Sequence, residues 1–345
     1  MDVRLSPEQQ ALRESAARLV DQLGPHAVGE LDDPERTAKL DAAVTASGWR
    51  ELRTADHGNR PLASGVEVGI VAEELGRGLA DISFVGPTLA TELRRMAGAP
   101  PSAEVETVVL TDDLLSLARV VDGRVPSGVA VDVQGSTRAL VLAPGPDGDH
   151  LASMELGSPA VGLDLTRPSV AVDGQAVVTP LAPARPVTAD DLTRWTALGL
   201  AVACADLVGT MGGAVRLASA YASERRQYGA PIGSFQAVQH LLADAFVLSE
   251  GARSATLHAT WAVDELEPAD ALDAAAVAKA YCARAARTVG ETAIQVHGGI
   301  GNTWECLAHI YLRRALLSSE LLGDVGVSLT RVLEHRGIGG RDGLS

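Results

Sequence analysis

The sequence predicts a mainly α protein with a small β domain. It divides into an N-terminal helical domain (1–104), a middle β domain (105–188) and a C-terminal four-helix bundle (189–345). Two observations carry this reading. Apolar residues recur at helical spacing before about residue 100 and again beyond Asp190, with short β-branched runs and turn formers between them. The helical stretches after Asp190 are also long and joined by short breaks, which implies antiparallel packing. Strands segregated in this way exclude a doubly wound α/β sheet.

Taken in order, Ser6-Pro7-Glu8-Gln9 reads as an N-cap, a first-turn proline and a capping-box glutamine. Leu12, Ala16, Leu19, Val20 and Leu23 follow at helical spacing. A loop at 54–61 precedes a second helical pattern over 66–75, with Gly76 as its expected stop. Strands are expected at 108–110, 139–142, 169–172 and 176–178, with turns at Pro144-Gly-Pro-Asp-Gly148 and Asp173-Gly174. Asp190 and Asp191 are positioned to cap a helix reaching about Ser223, and Pro231 to Ser234 breaks and recaps the chain. Further helices are expected over 235–265, from Pro268 to the glycines at 298–301, and as one region over about 303–335.

Bulk properties exclude several classes. The net charge of −15 argues against nucleic acid, whose phosphates demand a basic surface, and disfavours anionic membranes. No uninterrupted apolar run reaches the ~18 residues of a membrane helix, and the start lacks the regions of a signal peptide, so a cytoplasmic protein is expected. Cys204, Cys282 and Cys306 read as buried free thiols, and the eight histidines show no metal-ligand spacing, so no metal is expected. Lysine occurs only at Lys39 and Lys279.

Two motifs carry chemistry. Arg225-Arg-Gln-Tyr-Gly229 reads either as a basic last helical turn capped by Gly229, or as an arginine that grips phosphate beside an aromatic ring. Gln295-Val-His-Gly-Gly-Ile-Gly301 places three glycines in four residues, more than a cap requires, where the backbone can approach a ligand closely. A Rossmann reading fails because these glycines follow a helical pattern rather than a strand.

With Ser234-Phe-Gln-Ala-Val-Gln-His240 between them, and with Gly48-Trp-Arg-Glu-Leu52, Ala72-Glu-Glu-Leu-Gly-Arg-Gly-Leu-Ala80 and Asp164-Leu-Thr-Arg167 upstream, these motifs resemble the acyl-CoA dehydrogenase family. The resemblance is strong in the C-terminal bundle and weak over about 100–160. It implies an acyl-CoA dehydrogenase-like fold, FAD bound between subunits, and an acyl-CoA or acyl-carrier thioester as substrate. By position Arg225 would meet the FAD pyrophosphate, Tyr228 the adenine end, and Gln236 the dinucleotide. Gln295, Gly298 and Gly299 would contact the FAD of a neighbouring subunit, while Lys279 reads as structural.

The chain departs from the family at the reactive end. Counting from Gly298 places Leu322-Gly323 where the family carries the glutamate that removes the substrate's α-proton, and leucine cannot take a proton. The family's alternative base position falls near Gly199, beside Leu200. The weak candidates are Glu320, which in a continuous helix would face away from Leu322, Asp324 and Asp206. The flavin-contacting Thr-Glu-x-x-x-Gly-Ser segment is replaced by Leu110-Thr-Asp-Asp-Leu114, with Thr111 as one retained contact.

The resemblance therefore implies a base-less subunit whose partner is a homologous, longer dehydrogenase chain. Two alternatives stay open: a self-sufficient homo-oligomer with another acid as base, and a non-redox acyl-binding, cyclase or dehydratase descendant.

Overall fold

A computed structural model describes residues 4–160, 162–174 and 177–338. Ser6 caps α1 (Pro7–Leu23) with the expected reciprocal box to Gln9. Helices α2 (Pro34–Ala46), α3 (Gly65–Arg77) and α4 (Val85–Ala97) complete the first layer. The α3 helix runs past Gly76 and is capped at Gly78.

Six strands follow: β1 (Glu106–Leu110), β2 (Gly128–Ala130), β3 (Arg138–Gly145), β4 (Gly148–Glu155), β5 (Val170–Val172) and β6 (Val178–Pro180). They form one sheet in the order β5-β2-β1-β3-β4-β6, in which β1 and β3 are parallel and the other pairs antiparallel. Ala176 lies outside the described residues, as do residues 1–3 of the start. Both faces of the sheet are covered. Val108, Leu110, Leu140 and Leu142 join the main core, while Val109, Ala139 and Val141 join a second cluster.

Helix α5 (Ala189–Glu224) is the axis of the last layer. Its cap is Thr188, and Asp191 is the reciprocal member of the box rather than the cap. By length and composition α5 could cross a membrane, but 89% of its most apolar window is buried inside the protein. It packs with α6 (Gln236–Glu265) and α7 (Pro268–His297). The fourth member is not one helix. It is α8 (Ala308–Glu320) and α9 (Val325–His335), broken at 321–324. In the single chain, Leu241, Phe246 and Val247 of α6 are exposed.

Candidate functional site

The ends of α5 and α7 lie together. The rings of Tyr221 and His297 stack with centroids 4.5 Å apart, so the arginine motif and the glycine motif share one end of the bundle. Arg225 closes α5 by donating its N–H to the Tyr221 carbonyl at 2.9 Å. Gly229 does not cap the helix, as one sequence reading had it. Tyr228 (φ +52°) and Gly229 (φ +81°) instead form the turn of a small hairpin, β7 (Arg226–Gln227) against β8 (Ala230–Pro231).

That turn holds Tyr228 out in solvent at 96% exposure, with its ring edge-on to Phe235. Arg225, Arg226, Gln236, Gln295, Gly298 and Gly299 are all exposed, and among the described residues neither arginine forms an ion pair. Gly298 (φ +66°) closes α7 in a conformation that L-residues avoid, which leaves bare backbone at Gly298 and Gly299. Free guanidinium groups, an exposed ring and bare amides suit the phosphate and adenine portion of a dinucleotide.

The turn between α8 and α9 has a different character. Leu322 adopts φ +58° and is 1% exposed. A β-carbon placed on Gly199 of α5 would collide with Leu322 Cδ1, and Leu89 of α4 lies beside it. The Leu322 amide donates to the Leu114 carbonyl at 2.8 Å, which ties this turn to the β1–β2 loop.

Cations hold its three carbonyls. Lys279 Nζ donates to those of Leu321 and Gly323, and Arg331 Nη1 to that of Leu322 at 2.6 Å. Burial pulls the Lys279 ammonium down to about 8, against the smaller opposing pull of nearby acidic groups.

None of the three candidate acids stands beside Leu322 as a free base. Because the helix ends at Glu320, the argument from a continuous helix does not apply there, and Glu320 is exposed at the end of α8. Asp324 caps α9, accepting from the Val327 amide at 2.8 Å. Asp206 is buried in an ion-pair cluster. Its Oδ1 accepts from Arg314 Nε at 3.0 Å and Nη2 at 2.6 Å, while its Oδ2 meets Ser318 at 2.6 Å and Arg167 at 3.2 Å. Burial pushes this carboxyl up, but Arg167 and Arg314 together outweigh burial and hold it below its ordinary range. Arg167 also pairs with Asp164, and Arg314 donates to the Ala80 carbonyl and to Thr166.

The β1–β2 loop is equally closed on itself. Thr111 Oγ1 donates to Asp113 at 2.6 Å. Exposed donors at the bundle end thus contrast with leucine packing and a tied loop at the α8–α9 turn. Among the described residues, no cluster of His, Cys, Asp or Glu could hold a metal ion. Sequence reasoning missed the roles of Arg331 and Leu114: Arg331 lies outside every motif, and Leu114 acts through its backbone carbonyl, which carries no sequence signal.

Comparison with known proteins gives a consistent result. Residues 197–336 match the family model described as acyl-CoA dehydrogenase, C-terminal domain. The chain is 32% identical to the acyl-CoA dehydrogenase IpdE2 of Mycobacterium tuberculosis, across 91% of this chain and 93% of that protein. It is 33% identical to the acyl-CoA dehydrogenase FadE34 of the same organism, across 86% of this chain but only 45% of FadE34. Among solved structures, the ChsE4-ChsE5 complex from Mycobacterium tuberculosis superposes with a TM-score of 0.81 at 23% identity, covering 98% of this chain and 99% of that one. Butyryl-CoA dehydrogenase from Megasphaera elsdenii superposes with a TM-score of 0.75 at 18% identity, covering 96% of this chain and 98% of that one. These two share the fold.

Proposed function

The chain belongs to the acyl-CoA dehydrogenase family, and from that premise we propose that it is the subunit without the catalytic glutamate in a heteromeric, FAD-dependent enzyme. The reaction is the α,β-dehydrogenation of an acyl thioester. The observation that carries this reading is the packing of Leu322 onto Gly199, which fills both places where the family keeps its base. A carboxylate must therefore come from a partner, because the α-proton of a thioester is too weakly acidic to leave unaided.

FAD, when bound, supplies the acceptor for the β-hydride. This chain's part is to bind and orient. Arg225 would hold the pyrophosphate and Tyr228 would cover the adenine end, with Gln236 beside them. Gln295 and the Gly298 and Gly299 backbone would face the dinucleotide of the adjoining subunit. The Leu322 turn, braced by Lys279 and Arg331, would keep water out of an apolar wall.

Two relatives support a paired arrangement. The ChsE4-ChsE5 structure is a complex of two different chains. FadE34 is matched along only 45% of its length, which leaves room in that protein for a second unit of this size.

One observation favours a second reading. The closed ring end also suits a non-redox, acyl-binding descendant of the fold. Co-expression with a homologous, longer chain that carries the glutamate separates the two. The paired protein is expected to be yellow and to oxidise acyl-CoA with an artificial acceptor, while this chain alone is inactive. A colourless, inactive but assembled pair supports the non-redox reading. Turnover by this chain alone overturns both.

A further inference from the structure

Tyr221, on the last turn of α5, is in contact with both motifs of the bundle end. Its backbone carbonyl accepts the Arg225 N–H at 2.9 Å, and its ring lies over His297 with 25° between the planes. His297 is the last residue of α7 and directly precedes Gly298. Its Nδ1 lies 2.7 Å from the Ala293 carbonyl, which can only accept, so Nδ1 carries the proton. One side chain of His297 is thus held by its own helix and by α5 together.

The two motifs are fixed in different ways. Arg225 is held through its backbone, because its carbonyl also accepts from the Ile232 amide at 2.8 Å. Gly298 returns its N–H to the Ile294 and Gln295 carbonyls, so the glycines ride on the end of α7. Local backbone aside, nothing among the described residues lies within 4 Å of a β-carbon placed on Gly298 or Gly299. That open face takes no position from packing. What braces it toward Arg225 is the ring of Tyr221 across His297. Stacked rings fix separation and angle together, whereas an aliphatic contact would let the two ends slide.

Resting on the cofactor reading above, we infer that Tyr221 is a positioning residue for the dinucleotide. Its stack on His297 sets how the Gly298–Gly299 backbone stands relative to Arg225, without Tyr221 meeting the ligand itself. With the stack in place, both surfaces are ordered before FAD arrives. Without it, FAD binding must order the end of α7, and affinity falls by that cost.

The test is equilibrium dialysis of FAD against the flavin-free assembled protein. Tyr221→Leu keeps the backbone carbonyl and removes the ring, and is expected to weaken FAD about 5-fold or more. Tyr221→Phe keeps the ring and should stay within about 2-fold of wild type. The double variant Tyr221→Leu/His297→Leu should bind no more weakly than the weaker single variant, because both remove one stack. A ring that only packs would lower the urea midpoint and leave FAD affinity alone. That result, equal weakening by Phe and Leu, or additive losses in the double variant overturns the inference. Should Tyr221→Leu not fold, His297→Leu against His297→Phe puts the same question to the other ring, with the same expected and overturning results. Arg225→Ala separates the two levels. If it too binds FAD as wild type does, the cofactor reading fails and this role with it. If it loses FAD while Tyr221→Leu does not, only the role of Tyr221 falls.

Discussion

The side chain of Leu322 occupies the space that a β-carbon on Gly199 would need. These residues are 123 positions apart in the chain (322 − 199), on the α8–α9 turn and in α5. They are also the two places that motif counting assigns to the family's base. The counts converge on one point in space, and the atoms nearest that point are leucine side-chain carbons of Leu322 and Leu89.

Gly199→Ala is expected to destabilise the protein by ~1–3 kcal/mol through overpacking against Leu322. Leu322→Ala opens that space at a cost of its own, ~2–5 kcal/mol. The double variant should then be more stable than the sum of the two, as read from urea unfolding. Strict additivity would show that the two side chains do not compete for the same volume.

Lys279 gives a pH signature. Its folded-state pKa is depressed to about 8, from an ordinary 10.5. Between those values the unfolded chain binds the proton and the folded chain does not, so stability rises with pH across that window. The cost of burying the ammonium is fully present below pH 8. Lys279→Met lacks this titration, so the stability of the wild type relative to that variant should climb from pH 8 to pH 10. A flat difference would mean that the ammonium is not desolvated in the folded state.

Asp206→Asn should cost ~3–5 kcal/mol, because it leaves Arg167 and Arg314 buried with less opposing charge. The carboxyl is held low in the folded state, so its contribution is complete above the ordinary aspartate value of 3.8 and fades as pH falls below it. Thermal unfolding of wild type and variant should therefore differ widely at pH 7 and converge in acid. A variant as stable as wild type at pH 7 would contradict this role.

In the assembled enzyme, Arg225→Ala should loosen FAD more than Arg226→Ala. Loss of a charged, phosphate-directed contact is worth ~1.5–3 kcal/mol. Flavin retained after dialysis is the readout, and equal retention in both variants would remove Arg225 from the site.

Much of the architecture was legible because its signals are local. Ser6 and Gln9 sit at capping-box spacing, Pro268 opens its helix, and Pro144 to Gly148 marks the tip of the β3–β4 hairpin. The strand Gly148–Glu155 was not foreseen, since Asp149, His150 and Ser153 dilute its apolar character. The break at Leu322 was missed for another reason. Leucine at positive φ carries no sequence signal, and the turn is held by Lys279 and Arg331, 43 positions before it (322 − 279) and nine after it (331 − 322). The motif at 225–229 carries a chemical signal, but its hairpin geometry depends on Tyr228 accepting a left-handed conformation. The structural role expected of Lys279 takes its content from bonds to the Leu321 and Gly323 carbonyls, 42 and 44 positions away, which the sequence does not signal.

The ring of Tyr228 and the uncovered Leu241, Phe246 and Val247 bear on how the cell must make this protein. On the paired reading proposed above, a copy released from the ribosome without its companion displays these groups to every other new chain. Apolar surface of that kind favours self-association and recognition by holdases and proteases. Orphaned copies would then be cleared first, so the abundance of this chain would follow the supply of its companion rather than its own rate of synthesis.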